Sequence, residues 1–186
     1  MSNLNEYLEQ KRLAMEARDA KHARGELLPM TLNAKVTAEG RSGIRHIRIR
    51  DHHIINDSPY DFAGYDLGPS SPETMMGVLG ACVVHICEMQ ASVRRIPLES
   101  IEVEVNGTYD PRAGKPGFEN LPVHPTDINY VVNVSSPASN EQIKELFEAV
   151  EQTCPVLSLV KNPQHVRATI NHTRTGAAKA AKPVAA

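Results

Sequence analysis

The strongest constraint on this chain is a run that is apolar on almost every side. From Met75 to Cys87 the sequence reads MMGVLGACVVHIC, with His85 its one strongly polar side chain. Helix signals bracket it: Ser71 suits an N-cap, Pro72 the first helical position, and Glu73 the positive end of the helix dipole. The helix is expected to run to about Arg95 and to stop before Pro97. A helix apolar nearly all round must be buried, and Gly77, Gly80 and Ala81 give it a small-residue surface that another backbone can approach closely. The rest of the chain therefore has to wrap this one segment.

What remains is short and alternating. Ala34, Val36 and Ala38 share one face, Glu39 to Gly43 forms a turn, and Ile47 and Ile49 alternate with Arg48 and Arg50, which together predict a β-hairpin. A third strand is expected around His53–Asn56. The segment 57–72 holds several Pro and Gly residues and reads as a loop. Ile101, Val103 and Val105 alternate with polar residues, as do Ile128, Tyr130, Val132 and Val134. Ser139 with Gln142 makes a capping box, and Ile143, Leu146, Phe147 and Val150 supply the apolar stripe of a second helix, which ends at Cys154-Pro155. A short turn through Val160 and a last strand over Val166, Ala168 and Ile170 complete the reading. The order β-β-β-α-β-β-α-β is an α+β pattern of hairpins, with antiparallel sheets and no parallel βαβ units. So small a sheet area leaves apolar surface uncovered in a monomer, and a dimer is expected.

With 186 residues the chain has room for one domain. Residues 1–25 are expected to form a helical extension, thin in apolar residues, 26–175 the domain, and 176–186 a disordered small-residue tail. A formal net charge of −2 gives no general affinity for nucleic acid, and 4% aromatics without Trp give no base-stacking platform. The charged N-terminal stretch lacks the apolar core of a secretory leader, and no segment is expected to reach the length of a membrane span. A cytoplasmic location is expected.

Three cysteines, an odd number, do not make a disulfide scaffold. Cys82 sits mid-helix, where a thiol is commonly just a core residue. Cys87 follows five residues later, roughly 140° around and ~7.5 Å along the helix, so it cannot readily bridge Cys82 there and is expected to be structural. Cys154 lies at a helix end before Pro155, where a chain commonly emerges at an edge or cleft. Cys82 and His85 have helical metal-ligand spacing, but no CxxC or HExxH motif supports a metal site. Ser70-Ser71 lacks the GxSxG context of a serine nucleophile.

The segment HIINDSPYDFAGYDLGPSSPETMMGVLGAC, His53 to Cys82, resembles the signature of the OsmC/Ohr family (osmotically inducible protein C and organic hydroperoxide resistance protein). There an Asp-x-Pro loop and a Gly-x-Asp-x-Gly-Pro turn lead into an apolar helix bearing the reactive cysteine. The second cysteine of that family typically stands in a Cys-Pro at the end of the later helix, as Cys154-Pro155 does. The resemblance spans about residues 30–172. It implies that Cys82 attacks a hydroperoxide, that Cys154 closes a disulfide with it, and that a small or protein dithiol resets the pair. It implies sheets built by an intertwined homodimer; no cofactor and no metal are expected.

Two further roles follow from the resemblance. Arg41, in Glu39-Gly-Arg-Ser-Gly43, matches with one substitution the turn that carries a catalytic Arg in the Ohr branch; Glu73 is the candidate for its Glu partner. An exposed turn residue and a first-turn charge are the plain alternatives. Glu73 stands nine residues before Cys82, one fewer than is usual in that branch, which with the longer N-terminus points to an OsmC-like branch. On one straight helix the two would be ~13 Å apart along the axis and on opposite faces, so a composite site at the dimer interface is expected, with Arg41 from the partner chain. The competing function is that of an OsmC-fold binding or stress-associated protein without peroxidase turnover.

Overall fold

The computed structural model describes residues 4–174. Its elements are helix α1 (Leu4–Ala23), strands β1 (Lys35–Ala38), β2 (Arg45–Ile49) and β3 (His52–Asn56), helix α2 (Ser71–Arg94), strands β4 (Ser100–Thr108) and β5 (Thr126–Ser135), and helices α3 (Asn140–Thr153) and α4 (Pro155–Lys161). A three-stranded antiparallel sheet has the order β1-β2-β3, and β4-β5 form a separate antiparallel hairpin. This is the α+β architecture of hairpins around helices that the patterning predicts.

The apolar run becomes α2, and every other helix packs on it, as does β4. Leu79, Val83, Cys87 and Ala91 are all but inaccessible, and Leu98, Leu146 and Val150 meet them from neighbouring elements. Contrary to expectation, α2 has the length and apolar composition to cross a membrane, alone among the described residues, and part of that apolar surface packs on the core. The helix starts one residue earlier than its signals suggest. Ser70 is the N-cap: its Oγ accepts from the Glu73 N–H, and the Glu73 carboxylate accepts from the Ser70 N–H at 2.7 Å. A capping box needs its Glu at the third helical position, so Glu73 selects Ser70 and not Ser71, and Pro72 falls at the second position. At the other end Arg95 turns left-handed (φ 56°) and closes the helix before Pro97.

Strands β4 and β5 alternate in burial along their length. Their inward rows, Ile101↔Val134, Val103↔Val132 and Val105↔Tyr130, lie on the core. Gly80 permits that approach, since a Cβ there would stand 3.2 Å from a Val105 methyl. On α3 the capping box of Ser139 and Gln142 forms as read, and Leu146 and Val150 are fully buried.

The loop between β3 and α2 is built around Asp57, which is fully buried. Its carboxylate accepts from the N–H groups of Ser58 (2.7 Å), Tyr65 (3.0 Å) and Leu67 (3.2 Å). Arg45 donates to the Asp57 carbonyl at 2.8 Å and to the Ser58 hydroxyl. Desolvation pushes the Asp57 carboxyl up, but the three N–H groups and the Arg45 charge outweigh it and hold the carboxyl below its ordinary range. Gly64 is required here because a Cβ would fall 1.7 Å from the Ser58 carbonyl oxygen.

One expected strand is missing. Residues 163–174 form no strand, and Val166 and Ile170 are 86% and 90% exposed. A strand exists only by its ladder hydrogen bonds, and among the described residues no sheet edge pairs with the segment. The observed order therefore ends in two helices, α3 and α4. The expected tail, 176–186, lies outside the described residues.

Candidate active site

Two cysteines from distant parts of the chain meet between α2, α3 and α4. Cys82 is half-buried on α2, and Cys154 is 1% exposed at the junction of α3 and α4. Their sulfurs stand 3.4 Å apart as free thiols. A disulfide bond is ~2.05 Å long, so closure requires an approach of a little more than about 1 Å.

Local backbone chemistry sets this geometry. Pro155 cannot continue α3, because it has no N–H for the helix ladder and restricts the residue before it to an extended conformation. Cys154 adopts that conformation (φ −74°, ψ 111°), ending α3 through its N–H to Val150 O and starting α4 through its C=O to the Ser158 N–H. The break turns the thiol inward. Gln90 of α2 donates to the Thr153 hydroxyl at 3.0 Å, tying the end of α3 to the helix that carries Cys82.

Burial pushes the Cys82 thiol above its ordinary value; the Val156 N–H lowers it and the neighbouring Cys154 raises it. That N–H belongs to the first turn of α4, so the break that Pro155 makes after α3 also brings the Val156 N–H to the sulfur. This donor escaped the sequence reading, although Cys-Pro was its signal. Tyr130 also packs here: its hydroxyl donates to Glu151 at 3.1 Å, and burial, then Glu151 and Cys154, push it up to about 12. Cys87 is fully buried on another face of α2, where burial pushes its thiol up to about 12.

The other two candidates are elsewhere. Glu73 spends its carboxylate on the capping box, and hydrogen bonds from Ser70 hold it below the ordinary range. It borders a groove with Gly77, Gly80, Val103 and Val105 that does not include Cys82. Arg41 is exposed in the β1–β2 turn and has no side-chain partner among the described residues. Within one chain the cysteines are brought together and Arg41 and Glu73 are not joined to them.

The fold is similar to solved structures at low sequence identity. An OsmC-like protein from Mycoplasma pneumoniae aligns with a TM-score of 0.60 at 18% identity, covering 72% of this chain and 89% of that one. A Psychrobacter arcticus protein assigned to osmotic stress induction and detoxification response gives 0.56 at 20%, covering 71% and 89%. An organic hydroperoxide resistance protein from Elizabethkingia anophelis gives 0.52 at 14%, covering 72% and 90%. No curated protein sequence matches the chain. Residues 64–169, more than half of the chain, match the family described as OsmC-like protein. They contain the α2 start, the apolar helix and both facing cysteines, and this chain belongs to the OsmC-like family.

Proposed function

We propose that this chain is a two-cysteine thiol peroxidase that reduces organic hydroperoxides. The observation that carries the reading is the 3.4 Å separation of the Cys82 and Cys154 sulfurs, the partly accessible thiol facing the buried one. The Cys82 thiolate attacks the distal peroxide oxygen, the O–O bond breaks, and the alkoxide leaves and takes a proton to become the alcohol. Cys82 is then a sulfenic acid. The Cys154 thiol attacks its sulfur, water departs, and the Cys82–Cys154 disulfide forms. A small or protein dithiol returns the pair to thiols by exchange and is itself oxidised to a disulfide. Residues 26–175 act as the catalytic domain, and the setting is cytoplasmic.

The active form is a homodimer. Val36 and Ile54 leave one face of the first sheet apolar and exposed, and the alternating segment 163–174 has no partner strand among the described residues. A second copy answers both. It also answers the electrostatics, since burial pushes Cys82 up and no cation is among the causes acting on it. Arg41 of one protomer serves Cys82 of the other, oriented by a carboxylate for which Glu73 is the candidate.

That same lack of a cation favours a second reading, in which the fold binds a ligand or serves in stress without turnover. Peroxide consumption with dithiothreitol separates the two. Under the first reading Cys82→Ser abolishes turnover, Cys154→Ser without added thiol consumes about one equivalent and then stalls or over-oxidises at Cys82, and Cys87→Ala turns over normally. Normal activity in Cys82→Ser, or no Cys82–Cys154 peptide after peroxide treatment, would move the binding reading ahead.

A further inference from the structure

We infer that the groove between α1 and α2 is a binding site for a linear amphiphilic anion, a hydrocarbon chain ending in a carboxylate or phosphate head. The site is separate from the thiol pair and does not depend on peroxidase activity.

The groove arises from how α1 is docked. Its first half is fixed: Leu8 is 5% exposed against the core, and the Asn5 side chain accepts from the Leu98 N–H at 2.9 Å. Its second half has no comparable anchor. Lys11, Ala14, Met15 and Arg18 follow the i, i+3, i+4, i+7 spacing of one helix face and border the groove with Lys21. Across from them α2 presents His85 and Met89, also on one face. The small alanines leave a gap of about 670 Å³, well inside the ~300–1,000 Å³ range of ligand pockets. Ala14, Ala17, Met15, Leu27 and Met89 make its floor apolar, and methionine adapts to irregular hydrocarbon shapes.

The rim selects the sign of the ligand. No acidic residue lines the groove among the described residues. Lys11 is already engaged, with Glu88 at 3.4 Å, His85 Nδ1 at 3.2 Å and the Tyr7 hydroxyl at 2.9 Å. Arg18 and Lys21 have no side-chain partner among the described residues. Lys21 also suits the negative end of the α1 dipole, but that end needs neither an apolar floor nor a second cation a turn earlier. Two uncompensated cations beside a hydrocarbon-lined gap fit a ligand with an apolar tail and an anionic head.

Isothermal titration of the full-length protein with decanoate, decyl phosphate, decanol and decyltrimethylammonium tests this. Either or both anions should bind once per chain, and which one binds identifies the head group. Decanol should bind at least about tenfold more weakly, a difference of about 1.4 kcal/mol, and the cation not at all. The double variant Arg18→Gln, Lys21→Gln should lose at least about tenfold in anion affinity while its far-UV circular dichroism stays unchanged. Ala14→Trp, which fills the floor, should weaken whichever anion binds without changing the charge. Equal binding of the alkylammonium, or unaltered anion affinity in the double variant, would overturn the proposal. So would a changed sedimentation state of that variant, which would mean that a second copy of the chain occupies the groove.

Discussion

The two sheets are written in the same alternating pattern and end in opposite surroundings. In the β4–β5 hairpin Val103, Val105, Val132 and Tyr130 lie on α2 and the core, and the outward rows are polar apart from Val131, which is 50% exposed opposite Glu104. In the β1–β3 sheet the corresponding row Val36–Ile47–Ile54 is continuous across three strands, yet Val36 is 57% and Ile54 42% exposed. Alternation states that one face of a strand wants cover. It does not state which molecule provides it. The second hairpin finds its cover within the chain, whereas the first sheet is held mainly by its own ladder and by the Asp57–Arg45 anchor at its edge.

The largest effect should come from the covered region. Leu79 is 1% exposed between the hairpin and the helices, so Leu79→Ala should destabilise the protein by about 2–5 kcal/mol in urea unfolding. A cost below about 1 kcal/mol would show that the hairpin and α2 form a loose interface. Next comes Ile54→Ser on the open face. It should change the stability of an isolated chain by roughly 0.5 kcal/mol or less, as for surface sites, but weaken self-association at least about tenfold in sedimentation. If association is untouched, the partner lies elsewhere and the two sheets differ for another reason.

Cys87→Ala probes the covered region more gently. It removes a small buried side chain, and about 1 kcal/mol should be lost with the Cys82–Cys154 chemistry intact. The smallest effect concerns the anchor of the open sheet. The folded carboxyl of Asp57 lies below its unfolded value, so its contribution to stability is present above the unfolded pKa of ~3.9 and is lost as pH falls through the folded value. Acid unfolding of Asp57→Asn should lack that component and show a shallower pH dependence below ~4. Identical acid profiles would mean that Arg45 and the loop glycines hold the sheet edge without the charge.

Much of this protein follows from local sequence. A run without a polar face reads as a core helix or a membrane span, and α2 packs on the core through Leu79, Val83 and Cys87 while Met75 and Val78 stay exposed. Ser139 and Gln142 specify their capping box because its two hydrogen bonds join residues three apart. The Cys154-Pro155 break is equally local, since Pro denies α3 its next hydrogen bond. Other features needed the tertiary structure. The alternation of Val166, Ala168 and Ile170 matches a strand, but a strand is a relation between two segments, and no second segment pairs with it among the described residues. Glu73 reads equally well as a capping residue or a catalytic one from sequence; the Ser70 N–H decides where its carboxylate rests. The groove between α1 and α2 was invisible because it depends on how far two helices stand apart. The Cys82–Cys154 approach, across 72 positions of chain, is a property of packing alone. Sequence determines what each segment can bond with nearby, and only the assembled core determines which distant groups share a site, because burial and distance are properties of pairs.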